Sequence, residues 1–239
     1  MTEQLGRIRM AALNIDGVLL NDTFSPVIHH FVTSRGGTYS ADLERRIFSQ
    51  PQVVAGRVLA ETCGLSTTPM ETIALYLRER ESYLADHPVR ILDGAVDLLR
   101  RLRALGLRTV CYGGLDASHF QRFLGHLDGL FDEPRYVCTN DIRPGLREIA
   151  VDVAGLACDE VLFIDDVARV AEAARELGVP FVGHPSDFAH GHQRQLMTEA
   201  GVRHLVGSLD EIDDRLLRTI DAETEAGTLW DRAAGKALA

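Results

Sequence analysis

Ile8-Arg-Met-Ala-Ala-Leu-Asn14-Ile-Asp16-Gly17-Val-Leu-Leu20 is an apolar run that ends in two polar residues and a glycine. A short apolar run bounded by a Gly turn fits a central strand of a parallel sheet, where both faces are covered. Strand side chains alternate, which puts Asn14 and Asp16 on one face. Both then look into the crevice at the carboxyl end of the sheet, where open α/β folds bind ligands.

Outward from this strand, the chain alternates strands and helices. After Gly17 a turn-rich segment leads into residues that read almost wholly helical as far as Pro88, including Ala41 to Phe48, Val53 to Thr62 and Pro69 to Ala85. From Val89 the rhythm is strand, turn, helix. Asp93 is a candidate N-cap for a helix over Ala95 to Leu105, with Leu98, Leu99 and Leu102 on one face and Gly106 as its stop. Leu107 to Tyr112 reads as a second strand ending in Gly113-Gly114. Asp116 then caps a helix whose Phe120, Phe123, Leu124 and Leu127 recur at helical spacing. Tyr136 to Cys138 is a short strand and Leu146 to Leu156 a helix. Val161 to Ile164 is a fully apolar strand that runs into Asp165-Asp166 and a helix with Val167, Val170, Ala174 and Leu177 inward. Val179 to Val182 and His204 to Val206 supply two more strands, and Leu209 onward a terminal helix that frays around Trp230. This alternation predicts an α/β fold with a doubly wound parallel sheet.

The 239 residues suffice for one core and a small appended unit. A composition 46% hydrophobic and 25% charged is that of a globular protein. The net charge of −10 lacks the basic footprint of a nucleic-acid binder. Cys63, Cys111, Cys138 and Cys158 are too widely spaced for a zinc or redox motif and read as free, buried thiols. No apolar run approaches the roughly 18 residues of a membrane helix, and the N-terminus lacks a signal-peptide pattern, so the expected location is the cytoplasm.

The first stretch resembles the opening motif of the haloacid dehalogenase (HAD) superfamily, hhhhDxDG[TV]hh, most of whose members are Mg²⁺-dependent phosphatases. The resemblance runs from Ile8 to Ile212. It implies a Rossmann-like core formed by residues 1–22 and 89–239, with a small helical cap, residues 23–88, inserted over the active site. In that family the first Asp is the nucleophile, forming a phosphoaspartyl or, in dehalogenases, an ester intermediate. Here that position holds Asn14. The resemblance further assigns Asp16 to the general acid and base, and Gly113 and Gly114 to the phosphate-binding turn where Ser or Thr usually donates. Arg143 falls at the cationic third motif, and Asp165 and Asp166 at the fourth, whose carboxylates hold Mg²⁺ together with positions 14 and 16.

Two departures point the same way. A neutral amide is no nucleophile and supplies one anionic Mg²⁺ ligand fewer, leaving a weakened metal site. A glycine at 113 lacks a donor, which by analogy with oxyanion holes is worth about 3 kcal/mol in the transition state. The expected function is therefore binding of a phosphorylated or anionic small ligand in the core/cap crevice, with phosphoaspartate catalysis lost. A partner protein is another expected occupant of that crevice, and a homodimer is a further expected association. The competing reading is a Mg²⁺-dependent phosphatase of a small phosphorylated metabolite, in which Asp16 activates a water directly. Taken alone, Asp165-Asp166 also suits an acidic helix start, and Arg143 a loop charge. His184, His190 and His192 have a spacing a transition metal could use, but without a partner carboxylate or thiol they read as loop residues. His29 and His30 read as surface helix histidines.

Overall fold

In the computed structural model, which describes residues 4–230, strand β1 (Met10–Asn14) is buried along its whole length. It is flanked by β2 (Arg108–Gly113) and β4 (Val161–Asp165), with β3 (Tyr136–Cys138) beyond β2 and β5 (Phe181–Gly183) beyond β4. All four pairings are parallel, in the order β3-β2-β1-β4-β5. This is a parallel α/β sheet of Rossmann type with the Asn14 strand at its centre.

Alternation along β1 explains why both faces are covered. Ala11 and Leu13 belong to one apolar cluster with α5 (Ala95–Ala104), α6 (Ala117–Leu124) and α9 (Asp214–Glu225), through Leu98, Leu102, Phe120 and Ile220. Met10 and Ala12 belong to a second with α7 (Ala168–Leu177) and α8 (Gln193–Glu199), through Val170, Ala174 and Met197. The first residues of the sheet are held from the far end of the chain. Asp221 of α9 accepts the backbone N–H of Gly6, Arg7 and Ile8 at 2.7, 2.9 and 2.8 Å.

Between β1 and α5 lie α1 (Ser25–Thr33), α2 (Ala41–Ile47), α3 (Gln52–Thr62) and α4 (Pro69–Asp86). They share an apolar cluster of their own around Phe31, Leu43, Val58, Leu59 and Tyr76. Gly56 lets α3 meet the start of α4, since a Cβ there would lie 2.2 Å from the Pro69 carbonyl. Thr68 and Glu71 close a capping box at that start. The four helices are tied to the sheet layer by the buried Glu44 of α2, which accepts from the backbone N–H of His192 at 2.9 Å and from Gln193 Nε2 at 2.7 Å.

Several local expectations are corrected. Helix α5 is preceded by Gly94 in left-handed conformation (φ +81°), with no side chain capping it; Asp93 is not the cap. Leu146 to Leu156 is not one regular helix: Glu148–Val153 winds with wider turns, burying Ile149 and Ala150 and leaving Val151 and Val153 exposed. Leu177, the last residue of α7, is exposed rather than inward. His204 to Val206 adds a single rung to the sheet edge, through Gly183 N–H to His204 O and Val206 N–H to Gly183 O, both 2.9 Å. The terminal helix is broken: a short turn at Leu209–Glu211 precedes α9, whose N-cap is Asp213. Trp230 is not frayed, since its indole N–H donates to the Val179 carbonyl at 3.0 Å. The four cysteines are free, but only Cys111 is buried: Cys63 and Cys158 are half-buried and Cys138 is exposed. No helix among the described residues is long and apolar enough to cross a membrane.

Candidate functional site

The carboxyl ends of β1, β2 and β4 lie side by side, with Asn14 in register with Tyr112 and Leu13 with Ile164. The chain leaves β1 in a tight turn in which Gly17 N–H donates to Leu20 O at 2.8 Å, and Gly17 has φ +86°. Only glycine suits that place, because a Cβ would sit 2.1 Å from an Asp166 carboxylate oxygen. The turn thus folds directly against the acidic end of β4.

The Asn14 NH₂ donates to the Asp166 carboxylate at 2.9 Å and to the backbone carbonyl of Asp16 at 3.0 Å. The Asp16 carboxylate turns the other way and accepts from Nε2 of His119, a buried residue of α6, at 3.0 Å. Asp165 is enclosed: one oxygen accepts the Val167 N–H at 2.8 Å and the other the hydroxyl of Tyr112, itself fully buried on β2. Burial pushes the Asp165 carboxyl up to about 6, although the Tyr112 and Val167 hydrogen bonds work against the rise. Burial raises Asp166 as well, reinforced by the Asp165 charge beside it.

Above these strand ends is a cavity of about 150 Å³. Asn14, Asp16, Asp166, Gly114 and Arg143 line its sheet side, and Ile28, Leu59, Ile73, Tyr76 and Leu77 from the four helices make an apolar roof. An empty space of that size accommodates a benzene-sized body. Arg143 lies on the backbone of Gly114, where a Cβ would fall 1.6 Å from a guanidinium nitrogen. Among the described residues Arg143 makes no hydrogen bond or ion pair, and its Nε is buried without a partner. Also buried and unpartnered around the cavity are Asp22 Oδ2, Ser49 Oγ and Tyr76 OH.

Of the residues singled out in the sequence, Asn14, Asp16, Asp166, Gly114 and Arg143 come together at the cavity. Asp165 lies behind them. Gly113 does not line the cavity, and a side chain there would run into Ile15, 2.4 Å from its Cβ, so the position cannot simply regain a hydroxyl. His119, Tyr112, Asp22 and Asn140 are additional polar residues of the site that the sequence did not reveal. Tyr112 carried a faint signal as a polar aromatic at the end of a buried strand. His119 carried none beyond its place beside Phe120 on the inward face of α6.

The residues expected to hold Mg²⁺ do not fit it as arranged. Asn14 turns its NH₂ half, which ligates nothing, toward the two nearest oxygens, and both Asp165 oxygens already accept protein hydrogen bonds. Among the described residues no three His, Cys, Asp or Glu side chains are grouped to hold a metal ion. His184 instead donates from Nδ1 to the Gly17 carbonyl at 2.9 Å, His190 stacks on His29 with ring centres 4.3 Å apart, and His192 lies beside Tyr39. His29 is thus half-buried against the loop after β5, while His30 is exposed.

No protein-family model matches the chain, and no curated protein matches it. Solved structures match it over most of its length. A HAD hydrolase of family IA, variant 3, from Entamoeba histolytica superimposes with a TM-score of 0.67 at 13% identity, over 90% of this chain and 100% of that one. A phosphonoacetaldehyde hydrolase-like protein from Oleispira antarctica gives 0.66 at 11% identity, over 95% and 97%. A predicted phosphoglycolate phosphatase from Haemophilus somnus gives 0.60 at 15% identity, over 87% and 97%. At these identities the likeness establishes a HAD-like α/β fold.

Proposed function

We propose that the chain binds a small anionic ligand, phosphorylated or otherwise, in the cavity between the sheet ends and helices α1 to α4, which serve as its cap, and that it does so without phosphoaspartate catalysis. The observation that carries this reading is Arg143: a guanidinium seated over Gly114 at the cavity floor, which makes no hydrogen bond or ion pair among the described residues and whose Nε is buried without a partner. A planar guanidinium binds carboxylate or phosphate through two parallel hydrogen bonds. The apolar roof would cover the rest of a small ligand. Asn14 occupies the place from which a carboxylate would attack, and its delocalised amide carries no charge for that step.

The test is calorimetric titration with inorganic phosphate, small phosphomonoesters and short carboxylic acids, together with a phosphatase panel. Binding of at least one anion without turnover is expected. Arg143→Ala should weaken it by tenfold or more, on the order of 1.5 to 3 kcal/mol for a charged hydrogen-bonded pair. Gly114→Ala should have a similar effect with little loss of fold stability, because its Cβ displaces only the flexible end of Arg143.

The His119–Asp16 pair favours a second reading. His119 fixes one Asp16 oxygen while Asp16 lines the cavity, an arrangement suited to orienting a water as general base. Hydrolysis of a phosphomonoester by the unmodified chain, abolished in Asp16→Ala, would select this reading over ligand binding alone.

A further inference from the structure

The Asn14 amide joins oxygens from two separate parts of the chain. One N–H reaches the main-chain carbonyl of Asp16 at 3.0 Å, in the turn after β1; the other reaches the Asp166 carboxylate at 2.9 Å, beyond the end of β4. Acidic and carbonyl oxygens that converge in a dry crevice need a positive group between them, because lone pairs left facing each other repel. A divalent cation commonly supplies it. Here the two amide hydrogens point at these two acceptors, and one Asp16 carboxylate oxygen is taken by His119. Tyr112 and Val167 donate to Asp165, and the second Asp166 oxygen packs against the Gly17 backbone. Hard cations take oxygen ligands, and an amide nitrogen is not among them.

We infer that the NH₂ of Asn14 is a built-in substitute for a divalent cation at this crevice, so that the acidic strand ends are held together without metal and residue 14 decides whether Mg²⁺ binds. The inference takes its location from the ligand site proposed above, but it concerns the cation rather than the ligand. An Asp at position 14 would present a carboxylate to the Asp16 carbonyl and to Asp166. That cluster repels itself until a cation enters.

The experiment is isothermal titration of MgCl₂ and thermal melting in EDTA and in millimolar Mg²⁺, on the full chain and on Asn14→Asp. The unmodified chain should give no saturable heat and the same melting temperature in both buffers. Asn14→Asp should melt below it in EDTA and regain about 5 °C or more in Mg²⁺, the shift expected when the cation is present well above its dissociation constant. Saturable Mg²⁺ binding by the unmodified chain would overturn the inference, as would a folded Asn14→Asp that ignores Mg²⁺. If Asn14→Asp fails to fold in either buffer, the titration of the unmodified chain decides: silence supports the inference and binding overturns it. Adding Arg143→Ala to Asn14→Asp should leave the Mg²⁺ response intact while removing anion binding. Failure of the ligand reading and failure of this one are thereby separable.

Discussion

Replacing Gly17 by Ala tests how tightly the turn after β1 is fitted to the acidic end of β4. The residue sits at φ +86°, and an alanine Cβ would lie 2.1 and 2.3 Å from Oδ2 and Cγ of Asp166. Holding an L-residue in the left-handed region costs about 1 to 2 kcal/mol. Moving the Asp166 carboxylate aside also breaks its bond to Asn14 and strands buried partners, at about 1 to 3 kcal/mol. The expected loss is therefore about 2 to 5 kcal/mol, or roughly 4 to 20 °C in melting temperature for a chain of this size. Gly178 provides the control. It ends α7 at φ +68° with nothing within 4 Å of the place a Cβ would take, so Gly178→Ala carries the backbone cost alone. Urea unfolding of both variants, with slopes compared to the unmodified chain, separates the two contributions. Equal losses in Gly17→Ala and Gly178→Ala would refute the proposed packing of Asp166 on the turn.

Two further outcomes are expected. Because Asp165 is pushed up to about 6 by burial, the folded state holds its proton more tightly than the unfolded chain does. That contribution is fully present below about pH 4 and is lost as pH rises through about 6, for a fall on the order of 3 kcal/mol. Asp166 shifts in the same direction. Urea midpoints measured from pH 4.5 to 7.5 should decline across this window, and Asp165→Asn should flatten the decline; a profile unaffected by Asp165→Asn would contradict it. Asp221→Ala should cost about 3 kcal/mol in the same assay by stranding the N–H groups of Gly6, Arg7 and Ile8, with Asp221→Asn milder because it keeps one acceptor. A loss below about 0.5 kcal/mol would show that water replaces the carboxylate.

The sheet was legible because burial on both faces writes itself as continuous apolar runs: Met10 to Leu13 and Val161 to Ile164 could hardly be anything else. Glycine positions at helix ends were legible where they serve a left-handed turn, as at Gly106 and Gly178. Gly94 was missed because Asp93 beside it offered a competing cap, and propensity does not say which neighbour adopts the turn. Of the site, the residues at strand ends could be found from the order of motifs alone. His119 could not, since it reaches Asp16 across 103 positions and its helical spacing reads as one more core residue. Nor does a sequence reveal that the Asn14 amide presents nitrogen rather than oxygen to Asp166, which follows from the two acceptors facing it.

The grip of Asp221 on the residues just before β1 bears on the order in which the molecule is assembled. The central strand is synthesised before the other strands of its sheet, and its partners arrive late: β2 about a hundred residues on, β4 some fifty after that, and the carboxylate that secures its entry 213 to 215 positions downstream. Helices α1 to α4 can collapse on their own cluster in the meantime, while Met10 to Leu13 wait as an unpaired apolar strand. Such a chain folds slowly for its size and exposes an aggregation-prone segment during synthesis. Chaperone demand in expression should accordingly fall on the first strand rather than on the helices that follow it.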